Sequence, residues 1–376
     1  MEIQYSTQTL LRLAKRVNNK KRTYLLVNPL QAKHIPVSPT TSIGMMKALG
    51  YKVSKLYSKA RLVIGFAETA TAIGAVVASC ISDDCAYIHT TREEIPEENS
   101  WIEFLEEHSH ATEQKLSARK LEDYFNSTDT IILVDDEIST GKTLINMVDM
   151  LRSAFPVLRS KTIVAASIIN RMSSDNIERL RKTNIDYVCL LKIEEEDYTS
   201  RMSSVEIKEA TILKAVHCGN PLIHKYHTQN PRVGVVIGEY TKELERVSHE
   251  FIDNNSSSII GNVLILGTEE CMYPALLLGE AIEDRKIANS VKCHATTRSP
   301  IGISEKEGYP ITNGFKLHSL YQPERTTFIY NIKSYDTVII VTDAKDSIEV
   351  GIHDLYVIFN TFGISNFLVM VGGERV

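Results

Sequence analysis

The chain has 376 residues, enough for two to three domains, and 43% of them are apolar, which is typical of a folded protein. Its formal net charge of −5, from 42 basic and 47 acidic residues, does not favour a nucleic-acid or membrane partner. No apolar run approaches the ~18 residues of a spanning helix, and the amino terminus lacks the layout of a signal peptide. The six scattered cysteines form no C-x-x-C pair, so we expect a cytoplasmic protein with reduced thiols.

Apolar runs of strand length alternate with segments of helical period through the first half of the chain. The predicted strands lie near Tyr24–Val27, Leu62–Gly65, Ala86–His89, Thr130–Val134 and Thr162–Ile169, and the predicted helices cover Thr69–Ile81, Lys142–Phe155 and Asp175–Lys182. This alternation indicates an α/β fold with a doubly wound parallel sheet.

Turn residues interrupt the pattern near the middle of the chain. Gly219-Asn220-Pro221 and Asn230-Pro231 precede a new predicted strand at Val233–Ile237. We therefore expect two domains, residues 1–228 and residues 229–376.

The second half of the chain repeats three features of the first half in the same order. The paired segments are LVIGFAETATAIGAVVA (62–78) with LILGTEECMYPALLLGEA (264–281), HTTRE (89–93) with ATTRS (295–299), and DTIILVDDEIS (129–139) with DTVIIVTDAKD (336–346). The spacing agrees too, because Arg92 lies 44 residues before Asp136 and Arg298 lies 45 residues before Asp343. We infer two related α/β domains, the second a diverged copy of the first.

The segment DDEISTGKT, from Asp135 to Thr143, joins a predicted strand to a predicted helix at the carboxyl edge of the sheet, where ligands bind. It offers consecutive backbone N–H groups, three hydroxyls and a helix N-terminus, and Gly141 lets the backbone approach a phosphate closely. Asp136 stands where a nucleotide-binding P-loop needs its first glycine, which argues against an ATP site. Asp135 and Asp136 suit vicinal ribose hydroxyls, so the predicted ligand is a ribose 5-phosphate unit. The structural alternative is an acidic turn that merely caps the helix.

The segment ILVDDEISTGKT resembles the phosphoribosyl pyrophosphate (PRPP) signature of type I phosphoribosyltransferases. More narrowly, the chain resembles the bacterial two-domain PRTase/TRSP family, described around tellurite-resistance-type gene clusters. The segments that carry this resemblance are AKHIPVSP (32–39), FAETAT (66–71), HTTRE, EEHSHA (106–111), VDDEISTGKT and TTRSP (296–300). The resemblance implies a PRPP- and Mg²⁺-dependent phosphoribosyltransferase that releases pyrophosphate and helps to make a nucleotide-like metabolite. The expected partners are PRPP and an unidentified base, and a homodimer is left open.

The resemblance also implies roles for individual residues. Those expected to bind PRPP are Ala67, Glu68 and Thr69 in the pyrophosphate loop, and Glu137, Ser139, Thr140, Gly141, Lys142 and Thr143 after the aspartates. Those expected to take part in catalysis are Asp135 and Asp136, which fix the ribose near Mg²⁺, with Arg92, His108 and His110 on the pyrophosphate side. Lys33 and His34 are expected to cover the acceptor.

Some of these residues have other interpretations. His34 fits a loop or core histidine, and the acidic stretch around His108 and His110 fits a solvated helix or, on weaker grounds, a metal site. In the second domain Thr342 replaces the first aspartate and AKDSIEV (344–350) replaces the phosphate loop, so we expect no PRPP binding there. We predict a cleft for a different ligand, lined by Thr268, Glu269, Glu270, Thr297, Arg298 and Asp343. The alternatives are a domain kept for interface burial and, for the whole chain, a PRPP- or nucleotide-sensing regulator without turnover.

Overall fold

The computed structural model describes residues 4–19, 22–96, 98–104, 114–213, 221–345 and 348–373. The chain forms two compact units. Unit I comprises residues 44–196 and 229–242, and unit II comprises residues 1–43, 197–228 and 243–376. The first 43 residues therefore group with the carboxyl-terminal part of the chain. The predicted domain boundary at residue 228 stays a prediction.

The strands follow one another along the described chain with these bounds: β1 (Arg12–Lys15), β2 (Tyr24–Val27), β3 (Leu62–Gly65), β4 (Ala86–His89), β5 (Trp101–Phe104), β6 (Gln114–Ser117), β7 (Thr130–Ile138), β8 (Thr162–Asn170), β9 (Ile185–Lys192), β10 (Thr211–Ile212), β11 (Leu222–Lys225), β12 (Val235–Val236), β13 (Asn262–Gly267), β14 (Ser290–Ala295), β15 (Gly314–His318), β16 (Thr326–Tyr330), β17 (Thr337–Thr342) and β18 (Phe367–Val371).

The helices have these bounds: α1 (Thr7–Leu10), α2 (Pro39–Leu56), α3 (Thr71–Ile81), α4 (Leu121–Ser127), α5 (Lys142–Ala154), α6 (Ser174–Lys182), α7 (Thr199–Ser203), α8 (Ile237–Asn255), α9 (Tyr273–Arg285) and α10 (Ile348–Asn360). Two 3₁₀ turns cover Pro156–Ser160 and Pro231–Val233.

The sheet of unit I has the strand order β12-β4-β3-β7-β8-β9, and every pair is parallel except β12 with β4. Its central strands are continuous apolar runs because helices cover a parallel sheet on both faces. The helix α3 is almost wholly buried, in keeping with its run of small apolar residues. The strands β5 and β6 pair antiparallel in the same unit.

Several predicted elements have different bounds in the structure. The strand β7 continues past Val134 to Ile138, which places the acidic residues inside the strand rather than after it. The predicted strand Val233–Ile237 is wrong in extent. Asn230 and Pro231 start a 3₁₀ turn there, and only the two residues of β12 pair before α8 begins.

The main sheet of unit II has the strand order β11-β18-β17-β13-β14, and all its pairs are parallel. The run β14-β13-β17-β18 has the same connectivity as β4-β3-β7-β8 in unit I. Equivalent backbone hydrogen bonds tie each first strand to the residue after the second strand, from Thr90 N to Gly65 O at 2.9 Å and from Thr296 N to Gly267 O at 3.0 Å. The prediction of two related parallel α/β sheets is confirmed.

Two further expectations concern the whole chain. Among the described residues, no helix combines the length and the apolar character that crossing a membrane requires. The described cysteines are free thiols, and Cys85, Cys189, Cys271 and Cys293 are buried.

Candidate active site

The segment between β7 and α5 has the geometry of an anion-binding loop. Asp135, Asp136 and Glu137 are half-buried at the carboxyl end of β7. Gly141 is the N-cap of α5 with a φ of 73°, a left-handed conformation that favours glycine, and a Cβ there would lie 3.1 Å from the Met172 sulphur. The half-buried Lys142 and its neighbours thus surround the positive end of the α5 dipole.

The two aspartates make different contacts. The Thr69 hydroxyl donates to Asp136 Oδ1 at 2.8 Å, and the backbone N–H of Asp136 donates to Asp135 Oδ1 at 2.9 Å. Thr69 belongs to the segment expected to bind pyrophosphate, so the structure brings that segment and the acidic pair together. Each carboxylate has acceptor sites beyond these bonds, because an ionised carboxylate accepts about four hydrogen bonds.

Glu137 is engaged by an arginine that the sequence analysis missed. Arg171 Nε lies 2.8 Å from Glu137 Oε1, and both side chains are about nine-tenths buried. Arg171 also donates to the Glu196 carbonyl at 3.2 Å, and its own N–H donates to Ile138 O at 2.9 Å. Glu137 and Arg171 therefore brace the ends of β7 and β8. A PRPP contact for Glu137 stays a prediction.

The segment after β3, the candidate pyrophosphate loop, is held in place by buried polar side chains. The Ala67 N–H donates to the Thr90 hydroxyl at 2.8 Å, and Gln114 Nε2 donates to the Ala67 carbonyl at 2.8 Å. The Thr90 hydroxyl in turn donates to Gln114 Oε1. Gln114 is 1% exposed and lies at the start of β6, 47 residues from Ala67. No local sequence signal pointed to it.

Arg92 lies in a segment that is fixed on its amino-terminal side. Thr91 exchanges backbone hydrogen bonds with Lys115 of β6, at 2.8 and 2.9 Å, and its hydroxyl accepts from the Glu93 N–H at 2.9 Å. Arg92 itself is half-buried at the carboxyl edge of the sheet. The predicted contributors His108 and His110 fall outside the described residues.

The part of the chain that the structure describes contains no protein cage for the expected Mg²⁺. Among the residues described, no group of three or more His, Cys, Asp or Glu side chains could hold a metal ion. The half-buried pair Asp135 and Asp136 fits an ion that a diphosphate ligand brings with it, since Mg²⁺ usually keeps several waters and substrate oxygens.

Two sequence families match separate parts of the chain. A family model described as "Phosphoribosyl transferase" matches residues 10–194, and one described as "TRSP domain C terminus to PRTase_2" matches residues 230–355. The chain belongs to the two-domain PRTase/TRSP family. The resemblance inferred from the motifs is confirmed, and unit I carries the core of the phosphoribosyltransferase domain.

Solved phosphoribosyltransferase structures are also similar to part of this PRTase/TRSP protein. APRTase from Giardia lamblia complexed with 9-deazaadenine is 14% identical, with a TM-score of 0.37 over 50% of this chain and 97% of that chain. Orotate phosphoribosyltransferase from Aeropyrum pernix is 15% identical, with a TM-score of 0.28 over 41% of this chain and 72% of that chain. Adenine phosphoribosyltransferase from Saccharomyces cerevisiae is 12% identical, with a TM-score of 0.34 over 49% of this chain and 96% of that chain. No curated protein matches the chain. The family assignment therefore rests on the sequence families.

The residues of the predicted TRSP-domain cleft form a largely buried polar network, and the cleft itself stays a prediction. Thr268, Glu269, Glu270 and Thr297 are all at most 3% exposed. Arg298 Nε lies 2.7 Å from Glu269 Oε2, and its Nη2 lies 3.2 Å from Glu270 Oε1. Arg298 is thus a largely buried, salt-bridged residue at the carboxyl edge of the sheet.

A second part of this network surrounds Asp343. The Tyr321 hydroxyl donates to Asp343 Oδ1 and lies 3.2 Å from the Thr268 carbonyl. The Thr268 hydroxyl donates to the Thr342 hydroxyl at 2.8 Å. Thr342 is the residue that replaces the first aspartate, so a neutral hydroxyl pair stands where unit I has a carboxylate.

Lys33 and His34 lie in unit II. Lys33 is 0% exposed, and its Nζ donates to the carbonyls of Glu269 and Thr296, both at 2.8 Å. His34 is 4% exposed, and its carbonyl accepts from Asn331 Nδ2 at 3.0 Å. The described contacts of both residues are structural, and their contact with an acceptor stays a prediction.

Proposed function

We propose that this protein transfers ribose 5-phosphate from PRPP to a base-like acceptor and releases pyrophosphate, as a step in making a nucleotide-like metabolite. The observation that carries the proposal is the Thr69–Asp136 hydrogen bond of 2.8 Å, which joins the pyrophosphate loop to the acidic strand end. A ligand with a 5-phosphate at one end and a diphosphate at the other spans these two segments.

The 5-phosphate is assigned to the amides and hydroxyls from Ser139 to Thr143. The left-handed Gly141 and the start of α5 support this assignment, because a helix N-terminus presents unpaired N–H groups to an anion. Binding the phosphate far from the reacting carbon holds the ribose in one orientation, so remote binding energy lowers the barrier at that carbon.

Asp135 and Asp136 accept hydrogen bonds from the two ribose hydroxyls. Their charge also favours the positive charge that develops on the ribose as the bond to pyrophosphate breaks. Mg²⁺ bound to PRPP supplies neutralising charge for the diphosphate. The side chains of Glu68 and Arg92 lie at the same edge of the sheet, and Arg92 is assigned to the departing pyrophosphate together with the amides of Ala67 and its neighbours.

The acceptor is an unidentified base. Two residues, Lys33 and His34, stay candidates for contact with the acceptor. Two others, His108 and His110, stay candidates for contact with the leaving pyrophosphate. They rest on the family resemblance alone.

Pyrophosphate release from PRPP in the presence of a panel of purine, pyrimidine and related bases tests the proposal, with mass spectrometry to identify the product. We expect one base class to be consumed in step with PRPP. The double variant Asp135→Asn with Asp136→Asn should lower this turnover by a few orders of magnitude. PRPP binding in calorimetry without turnover of any base would favour the sensing regulator. If neither PRPP binding nor turnover occurs, the proposal fails.

A further inference from the structure

The Glu269 carboxylate of the TRSP domain is enclosed by donors. Arg298 Nε lies 2.7 Å and Arg325 Nη2 lies 3.0 Å from its Oε2, and the Ser319 hydroxyl donates to its Oε1 at 2.6 Å. Glu269 is 1% exposed, and the two arginine side chains are 11% and 17% exposed. Two guanidinium groups and a hydroxyl that converge on one point are a donor set suited to phosphate and carboxylate ligands.

Glu269 stands at the position that Ala67 has in unit I. The Glu269 N–H donates to the Thr296 hydroxyl at 3.0 Å, as the Ala67 N–H donates to the Thr90 hydroxyl at 2.8 Å. The two loops therefore match residue for residue at this point. One copy carries a methyl group here, and the other copy carries a carboxylate.

The arginine is shared between the copies as well. Arg298 follows the second strand of its sheet as Arg92 follows the second strand in unit I, two residues after the matched threonine in each case. In unit I this edge is where a diphosphate is proposed to bind. In the TRSP domain the equivalent arginine binds the protein's own Glu269 instead.

The backbone at Glu269 supports the same view. The φ of Glu269 is 48°, in the left-handed region that favours glycine. A glutamate therefore occupies a position whose backbone conformation is unfavourable for any residue with a Cβ. The compensation is the three-sided contact of its carboxylate.

We infer that Arg298, Arg325 and Ser319 form an oxyanion subsite of the phosphate and diphosphate class, and that its resident anion in this protein is the Glu269 carboxylate. With Glu269 and Glu270 present, their carboxylates pair with the two guanidinium groups, so the donors that a diphosphate would need are already engaged. Without the Glu269 carboxylate the subsite carries net positive charge and an open volume. This inference uses unit I only for comparison, and its test does not depend on turnover in unit I.

The test uses the full chain with Glu269→Gly, because glycine suits the left-handed backbone and removes the carboxylate. Calorimetric titration with sodium pyrophosphate should show one more binding site per chain than the wild type, whether the wild type binds one pyrophosphate or none. Pyrophosphate should also raise the melting temperature of the variant more than sodium chloride does at equal ionic strength.

Three controls accompany this measurement. Glu269→Asn, which also tolerates the left-handed backbone, should behave like the glycine variant. Glu245→Ala, which removes an exposed glutamate in the same unit, should keep the wild-type stoichiometry. Adding Arg298→Ala to Glu269→Gly should remove the extra site.

Wild-type stoichiometry in both Glu269 variants would overturn the inference, and so would an extra site that persists without Arg298. Should both Glu269 variants fail to fold, pyrophosphate should restore folding by replacing the lost anion. Failure of that rescue would equally overturn the inference.

Discussion

Gln114→Leu is expected to weaken PRPP binding although Gln114 itself touches no ligand in the proposed mechanism. Gln114 is 1% exposed, donates to the Ala67 carbonyl at 2.8 Å and accepts from the Thr90 hydroxyl. Leucine has a similar volume, so the substitution leaves these two buried groups without their partner instead of opening a large cavity. Each such group costs about 1–3 kcal/mol, so roughly 2–6 kcal/mol should be lost in total.

That loss should divide between stability and ligand binding, because the same hydrogen bonds fix the backbone N–H groups of the pyrophosphate loop. A share of about 1.4 kcal/mol in binding corresponds to a ten-fold weaker PRPP affinity. Isothermal titration calorimetry measures this affinity without knowledge of the acceptor. Gln8→Leu, at an exposed position, is the matched control and should change neither PRPP affinity nor melting temperature.

A double-mutant cycle separates positioning from general destabilisation. Thr90→Val breaks the same network at its other end, so its effect on PRPP affinity should be less than additive with that of Gln114→Leu. The reasoning would be refuted if Gln114→Leu lowered the melting temperature but bound PRPP with wild-type affinity. If the wild type bound no PRPP, the proposed function would fail instead.

Three further changes have defined outcomes. The double variant Asp135→Asn with Asp136→Asn should lower turnover by a few orders of magnitude at a nearly unchanged melting temperature. Each substitution removes a charged hydrogen bond to the ribose that is worth about 1.5–3 kcal/mol. Near-native turnover would show that the two aspartates are structural. Arg298→Ala should destabilise the protein by about 3–5 kcal/mol in denaturant unfolding, since it removes one ion-pair partner from each of two buried carboxylates. A change below ~1 kcal/mol would contradict the buried ion pairs. Burial lowers the pKa of His294 from 6.5 to about 4. Between these pH values the unfolded chain binds a proton at His294 that the folded protein does not bind. The free energy of unfolding should therefore fall by up to ~3 kcal/mol as the pH drops from 6.5 to 4. His294→Gln should flatten that pH dependence and the exposed His227→Gln should not; equal slopes in all three proteins would refute it.

Local sequence patterns were sufficient to predict the strands and helices whose formation depends on residues close to each other along the chain. The strands Leu62–Gly65 and Ala86–His89 have the predicted bounds, and α5 begins at Lys142 as predicted. These elements follow from runs of apolar residues, and the phosphate loop follows from a glycine at a helix start. The same holds for the repeat, because equivalent loops keep equivalent residues at similar spacing.

Contacts between distant residues could not be predicted in this way. Gln114, Arg171 and Lys33 act on backbone groups or carboxylates that are 47, 34 and 236 residues away. A glutamine or lysine that reaches a buried carbonyl leaves no periodic signal, and neither does a bundle of donors around Glu269. The grouping of the first 43 residues with the carboxyl-terminal part has the same cause.

The two copies hold the same backbone carbonyl by different chemistry, and the difference follows from the charge each loop carries. The Ala67 carbonyl accepts from the neutral amide of Gln114, whereas the equivalent Glu269 carbonyl accepts from the Lys33 ammonium. Under the proposed function, the unit I loop needs a rigid donor but no internal countercharge, since PRPP and Mg²⁺ would bring balancing charges with them. A loop that contains Glu269 and Glu270 must balance buried negative charge permanently, because an uncompensated charge in the interior is costly. Lys33, Arg298 and Arg325 supply that balance. The second copy therefore carries, on its own buried side chains, the negative charge that the proposed diphosphate ligand would bring to the first copy.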